Sequence, residues 1–199
     1  MRSLARLAGR FGLLAILGIT LAGCGVNNIP SQEEAAKAKW SQVLNQYQRR
    51  ADLIPNLVET VKGYAKQEAQ VLEAVVAARA RATSVQVPPD ILTNPEAFKK
   101  FQEAQTQLSG SLGRLLAISE NYPDLKSNQN FLALQSQLEG TENRISVARR
   151  DYIEAVQAYN TELKTFPGVI WASTLYKGNK PMETFTIAEE TKRPPQVKV

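Results

Sequence analysis

The chain has 199 residues, with 24 Lys+Arg against 19 Asp+Glu, no histidine and a single cysteine, Cys24. Without histidine there is no Ser-His-Asp or Cys-His nucleophilic machinery, and zinc lacks its usual ligand set. One cysteine cannot form an intrachain disulfide, so the fold must be held by packing. Three of the basic residues, Arg2, Arg6 and Arg10, fall in the first ten positions; without them 21 basic residues face 19 acidic ones, a formal +2. That near-balance speaks against nucleic acid as a partner.

The basic start runs into Phe11-Gly-Leu-Leu-Ala-Ile-Leu-Gly-Ile-Thr20, an apolar run too short to span a bilayer well but of the right length for a signal-peptide core. It ends in Leu21-Ala22-Gly23-Cys24, which resembles the lipobox of bacterial lipoproteins. The reading that follows is a cleaved signal peptide over 1–23 and a Cys24 that carries diacylglycerol and a fatty acid such as palmitate. Two or more acyl chains hold a protein stably on a membrane, because each buried methylene contributes about 0.8 kcal/mol. Gly25, in place of an inner-membrane retention aspartate, favours the outer over the inner membrane. Residues 24–30 are expected to be a short lipidated tether.

Ser31-Gln-Glu-Glu34 reads as a capping box that starts a helix. Ala36, Trp40, Val43 or Leu44, Tyr47, Ala51, Ile54, Val58, Val61 and Ala65 then keep three-four spacing along one face. Val71, Leu72, Val75 and Val76 extend it toward residue 84. Pro55 interrupts the pattern: it lacks the amide that would bond the carbonyl of Ala51, so a kink is expected near Asp52–Leu53, or two helices nearly end to end.

Ser84-Val-Gln-Val-Pro-Pro-Asp90 ends this run. Asn94-Pro95 opens the next helix, with asparagine as cap and proline in the first turn. Its seam is Phe98, Phe101, Gln105, Leu108, Leu112, Leu115 and Ser119. After a turn at Asn121-Tyr-Pro-Asp124, Phe131, Leu134, Leu138, Thr141, Ile145, Ala148, Tyr152, Ala155 and Tyr159 make a coiled-coil seam of about four heptads. Phe166-Pro167-Gly168 stops it, Gly168–Tyr176 forms a short further helix, and residues 178–199 read as a flexible tail. The predicted fold is all-α, an antiparallel up-and-down helical bundle over 31–177 with a long kinked first helix.

Several motifs also resemble the LemA family: Arg50-Ala-Asp-Leu-Ile-Pro-Asn-Leu-Val58, Tyr64-Ala65, Asn128-Gln-Asn-Phe131, Leu138-Glu-Gly-Thr-Glu-Asn-Arg-Ile145, Ala148-Arg-Arg-Asp-Tyr152 and Tyr159-Asn160. They fall in order over roughly residues 30–177. The resemblance implies an antiparallel four-helix bundle behind an N-terminal membrane segment. It supplies no catalytic residues. Many relatives carry what looks like an uncleaved membrane helix, whereas this chain has Leu-Ala-Gly-Cys.

Two charged clusters are candidate recognition surfaces: Arg49, Arg50 and Asp52, beside Pro55 and Asn56, and Arg149 and Arg150 with Asp151. Ordinary surface ion pairs are the competing explanation, each contributing about 0–1 kcal/mol. Glu139, Glu142 and Glu154 could be imagined as paired catalytic or metal-binding carboxylates, but a solvated helix face accounts for them. Trp171 and Tyr176 could meet lipid headgroups or simply join the core. The expected function is non-enzymatic, a membrane-anchored scaffold or interaction module of the bacterial envelope. It would have an envelope protein as partner and no cofactor, metal or nucleic acid. The alternative is a helper or binding protein of the cell-wall polymer.

Overall fold

The computed structural model describes residues 25–186. The expected signal peptide over 1–23, the expected lipidation site Cys24 and positions 187–199 lie outside the described residues.

Among the described residues six α-helices follow in order: α1 Asn28–Tyr64, α2 Ala69–Ser84, α3 Pro95–Ser119, α4 Pro123–Lys126, α5 Gln129–Glu162 and α6 Gly168–Thr174. α1 and α5, of 37 and 34 residues, form a long antiparallel pair. At 1.5 Å per residue each is about 50 Å or more long. α2 and α3 pack as a shorter pair, joined to the long pair through α2 against α1. The chain is therefore an all-α antiparallel bundle with four principal helices. The end where residue 25 enters is called proximal below, and the end where α1 turns into α2 distal.

Where the first run of apolar residues divides differs from expectation. α1 passes through Pro55 as one helix. The break comes ten residues later, at Ala65 (φ −126°, ψ 56°) and a 3-10 turn over Lys66–Glu68. Periodicity could not show this, because an apolar stripe looks the same whether a helix continues or doubles back. α2 then buries Leu72, Val75, Ala78 and Ala82 and leaves Val76 exposed.

The start of α1 also differs. The expected tether is helical from Asn28, and Ser31 sits inside the helix with its amide on the carbonyl of Asn27. The capping box is not used. Ile29 is wholly buried in the proximal core, which draws the first turn down onto the bundle. Pro30 costs little there, since first-turn amides have no intrahelical partner. At α3 the expected cap is present: the Asn94 side chain accepts from the amide of Ala97 at 3.2 Å.

Both later seams are buried much as their spacing predicts. All seven α3 positions are buried. On α5, Phe131, Leu138, Thr141, Ile145, Ala148, Tyr152 and Tyr159 are buried, while Val156 takes the place expected for Ala155. A helix drifts about 20° per heptad against a strict seven-residue repeat, so a late shift by one position is the natural outcome.

The expected flexible tail is, through residue 186, a strap. Phe185 and Met182 are buried, and the Glu183 amide donates to the Leu92 carbonyl at 2.7 Å. Tyr152 Oη donates to the Glu183 carbonyl, and Asn160 bonds both the amide and the carbonyl of Met182. The physical need is plain. α1 and α5 project beyond α2 and α3 at the proximal end, and their apolar faces there need a cover. The strap and the Ile91–Leu92 turn supply it.

Candidate functional site

Three places in the bundle hold side chains with more than packing to do: a polar layer at mid-height, the Pro55 turn, and a strapped cleft at the proximal end.

The polar layer is built on Arg50. It occupies a seam position on α1, three residues after Tyr47 and four before Ile54, and it is 1% exposed. Its Nη1 donates to Ser109 Oγ at 2.6 Å and Glu142 Oε1 at 2.9 Å. Nη2 donates to Gln105 Oε1 at 2.6 Å and to the Gln105 carbonyl. The guanidinium also lies 5.0 Å from the centroid of the Tyr47 ring. Gln105 in turn donates to the Ala82 carbonyl, so one network ties α1, α2, α3 and α5. A buried cation without such partners would cost several kcal/mol. Arg50 was expected on a recognition surface; the structure places it inside, because its seam position leaves it no route to solvent. Two signals pointed there: a seam slot for Arg50, and the polar Gln105 on the α3 seam.

The other predicted residues separate. Arg49 and Asp52 are exposed, and Asp52 accepts from Gln48 one turn before. Arg150 pairs with Asp151 and Glu154 on its own helix. Arg149 turns inward and stacks over the Phe185 ring at 4.3 Å. Pro55 and Asn56 are exposed. The carbonyl of Ala51, which loses its helical partner at Pro55, accepts from Arg79 Nε of α2 at 2.8 Å. So the two charged clusters do not converge into one surface. Nor do the carboxylates: Glu139 accepts from Gln135, Glu142 from Arg50, and Glu154 faces Arg150. Among the described residues no group of three or more His, Cys, Asp or Glu could hold a metal ion.

The proximal cleft, about 620 Å³, opens between α1, the Pro88-Pro89 loop and the strap. Trp40, Leu44 and the prolines line it, with Glu33, Lys37, Tyr159, Asn179 and Lys180 as its polar groups. Glu33 pairs with Lys37 at 2.8 Å and also accepts from Asn179, whose amide reaches Tyr159 Oη. Burial pushes the Tyr159 phenol up, with the Asn179 hydrogen bond opposing. None of the predicted recognition residues lines this cleft.

The Tyr47 phenol is likewise raised by burial, opposed by Arg149 and Arg50. Tyr152 is raised the same way. Both serve as neutral core groups. Trp171 and Tyr176 pack partly against the proximal core. Among the described residues no helix is long and apolar enough to cross a membrane.

The class these features define is an all-helical bundle whose polar side chains join one helix to another. The LemA family model matches residues 39–199, and the chain belongs to the LemA family. It is similar to magnetosome proteins MamQ 2 and MamQ 1 of Paramagnetospirillum magneticum, at 26% identity over 157 residues in each case. MamQ of Magnetospirillum gryphiswaldense is similar at the same identity over the same length. Each match covers 71% of this chain but only 58% of the relative. The family-like motifs turn out to be joints of the bundle. Arg50 and Glu142 form the polar layer, and Asn128 caps α5 through the Phe131 amide. The Asn128 side chain also reaches Tyr64 Oη at the distal turn, while Tyr152 and Asn160 hold the strap.

Proposed function

We propose that this protein is a lipid-anchored lipoprotein of the bacterial envelope, acting as a non-enzymatic scaffold or protein-interaction module. The observation that carries the reading is the junction at the proximal end. α1 begins at Asn28, four residues after Cys24, and its first turn is locked into the core by Ile29. Asn28 also bonds Glu162 of α5. An acylated Cys24 is thereby coupled to a rod about 50 Å long with no leash between them. Anchoring concentrates the bundle along the membrane, so weak contacts along its sides suffice to recruit an envelope protein. Gly25 after the cysteine favours the outer membrane.

Growth with an alkyne fatty acid tests the anchor. The wild-type chain incorporates the label and its intact mass starts at Cys24, whereas Cys24→Ser incorporates none. Equal labelling of both, or a wild-type mass that retains residues 1–23, defeats the reading. A second reading, association with the cell-wall polymer, is favoured by the proximal cleft, whose mixed aromatic and charged lining suits a sugar chain. In-cell crosslinking separates the two: a captured envelope protein supports the scaffold, and crosslinks to wall polymer alone support the second.

A further inference from the structure

The proximal tip carries an apolar face that is left exposed among the described residues. Of nine large apolar side chains exposed among the described residues, four fall within ten positions: Phe166, Val169, Ile170 and Leu175. Phe166 is 80% exposed, and Leu175 is 64%. They lie on and around α6, the short helix after the end of α5. A single exposed apolar side chain means little, but a contiguous set marks a contact surface.

Three observations decide what it contacts. The first is position. A Cβ built on Gly25 would lie 3.4 Å from Pro167, so the chain enters the bundle against this tip. Cys24 is covalently next, its Cα within about 3.8 Å of that of Gly25. The second is charge. Lys164 to Lys177 holds two lysines and no acidic residue, with Glu162 the nearest acid in sequence. Aromatic and aliphatic side chains rimmed by lysine are the composition of a surface that lies in the headgroup region of a membrane. The third is rigidity. Gly168 is buried, and a Cβ there would meet the Glu162 carbonyl oxygen at 2.2 Å. Only glycine permits this close seating of α6 on the end of α5, which holds its apolar side chains outward.

We infer that the tip formed by Phe166, Val169, Ile170 and Leu175 is a membrane-contacting face that inserts into an anionic lipid surface beside the anchor. It rests on the anchored reading, and it adds an orientation. With lipid and tip both engaged the bundle is held at a set angle to the membrane, and the strapped cleft lies near the surface. The leading alternative occupant of the face is a second copy of this chain.

Cys24 is the only natural cysteine, so an introduced thiol can be labelled alone once Cys24 is acylated. Full-length Phe166→Cys and Ile170→Cys, labelled with an environment-sensitive fluorophore, are reconstituted into vesicles of phosphatidylcholine and phosphatidylglycerol containing acyl-brominated lipid. Glu34→Cys, exposed on the flank of the same end, is the reference. The expected result is a blue-shifted emission at 166 and 170, quenched several-fold more than at 34. Equal quenching at all three positions overturns the proposal. So does a blue shift without lipid quenching, which assigns the face to a second copy. The two readings fail separately. A chain whose Cys24 takes up the fluorophore is not acylated, which defeats the anchor. Loss of quenching at 166 and 170 in an acylated chain defeats only the face.

Discussion

The proximal and distal halves of the bundle solve the same problem with different side chains. Around Trp40 the core is aromatic: Tyr47, Phe98, Phe101, Tyr152, Tyr159 and Phe185. Trp40 alone packs against four of these rings at centroid distances of 5.3–6.0 Å. Below Arg50 the core is aliphatic: Ile54, Leu57, Val61, Leu72, Val75, Leu108, Leu112, Leu115 and Leu138, with Phe131 the one buried ring. The reason lies in the number of helices. In the distal half α2 and α3 complete the bundle, and Ala78 and Ala82 let α2 approach closely. In the proximal half only the start of α3 reaches the two long helices, through Phe98 and Phe101, and the remaining space is filled by large rings and an extended strap. Aromatic pairs contribute about 0.5–1.5 kcal/mol beyond their burial, so the strapped half need not be weak. It is closed by a segment of its own, held by Met182 and Phe185.

The largest expected effect comes from the layer between the halves. Arg50→Ala leaves Glu142, Gln105 and Ser109 without their donor and a void at the seam. It should lower stability by about 3–5 kcal/mol in urea unfolding. Hydrogen exchange should then show the two halves opening with different free energies, where the wild type opens its core as a unit. A loss below about 1 kcal/mol would mean that the layer does not couple them.

Phe185→Ala should come next, at about 3 kcal/mol. Its effect should be local. Amide protection is expected to fall at Met182 and Glu183, whose amides bond Asn160 and Leu92, and protease should cut near Gly178–Lys180. Protection in the distal core, around Leu115, should be unchanged. Equal loss of protection in both halves would show the strap to be part of one cooperative core.

The helix seams are the most legible part of the sequence in both halves. The α3 seam from Phe98 to Ser119 could be read whole, because spacing reports which face of a helix is buried. What spacing does not report is where an apolar run turns back, or what lies across the seam. Hence spacing gives no sign of the Ala65 turn, and of the two outcomes that Pro55 allows, a kink or a division, the helix is not divided there. Hence also the charge of Arg50 suggests exposure in the sequence, and only partners on two other helices make burial tolerable. The strap was illegible for another reason. Met182 and Phe185 are two isolated apolar residues among prolines and charges, a pattern that reads as solvated chain. Their partners Trp40, Phe98 and Tyr152 are more than twenty residues away in sequence, and nothing local announces them.

The smallest effect tests how α1 tolerates a proline at its centre. Pro55 removes the donor for the Ala51 carbonyl, and Arg79 of α2 takes its place at 2.8 Å. If that replacement is what keeps α1 continuous, the two residues are energetically linked. Arg79→Ala alone should cost about 1 kcal/mol, the net value of one hydrogen bond. Pro55→Ala alone should stabilise, because the new amide bonds Ala51 in the ordinary helical way. In the Pro55→Ala background the cost of Arg79→Ala should shrink to a few tenths of a kcal/mol, since the carbonyl no longer depends on it. Urea denaturation of the four proteins of this cycle measures the coupling directly. An equal cost of Arg79→Ala in both backgrounds would mean that the side chain contributes by packing between α1 and α2 alone. The joint between those helices would then owe nothing to the proline.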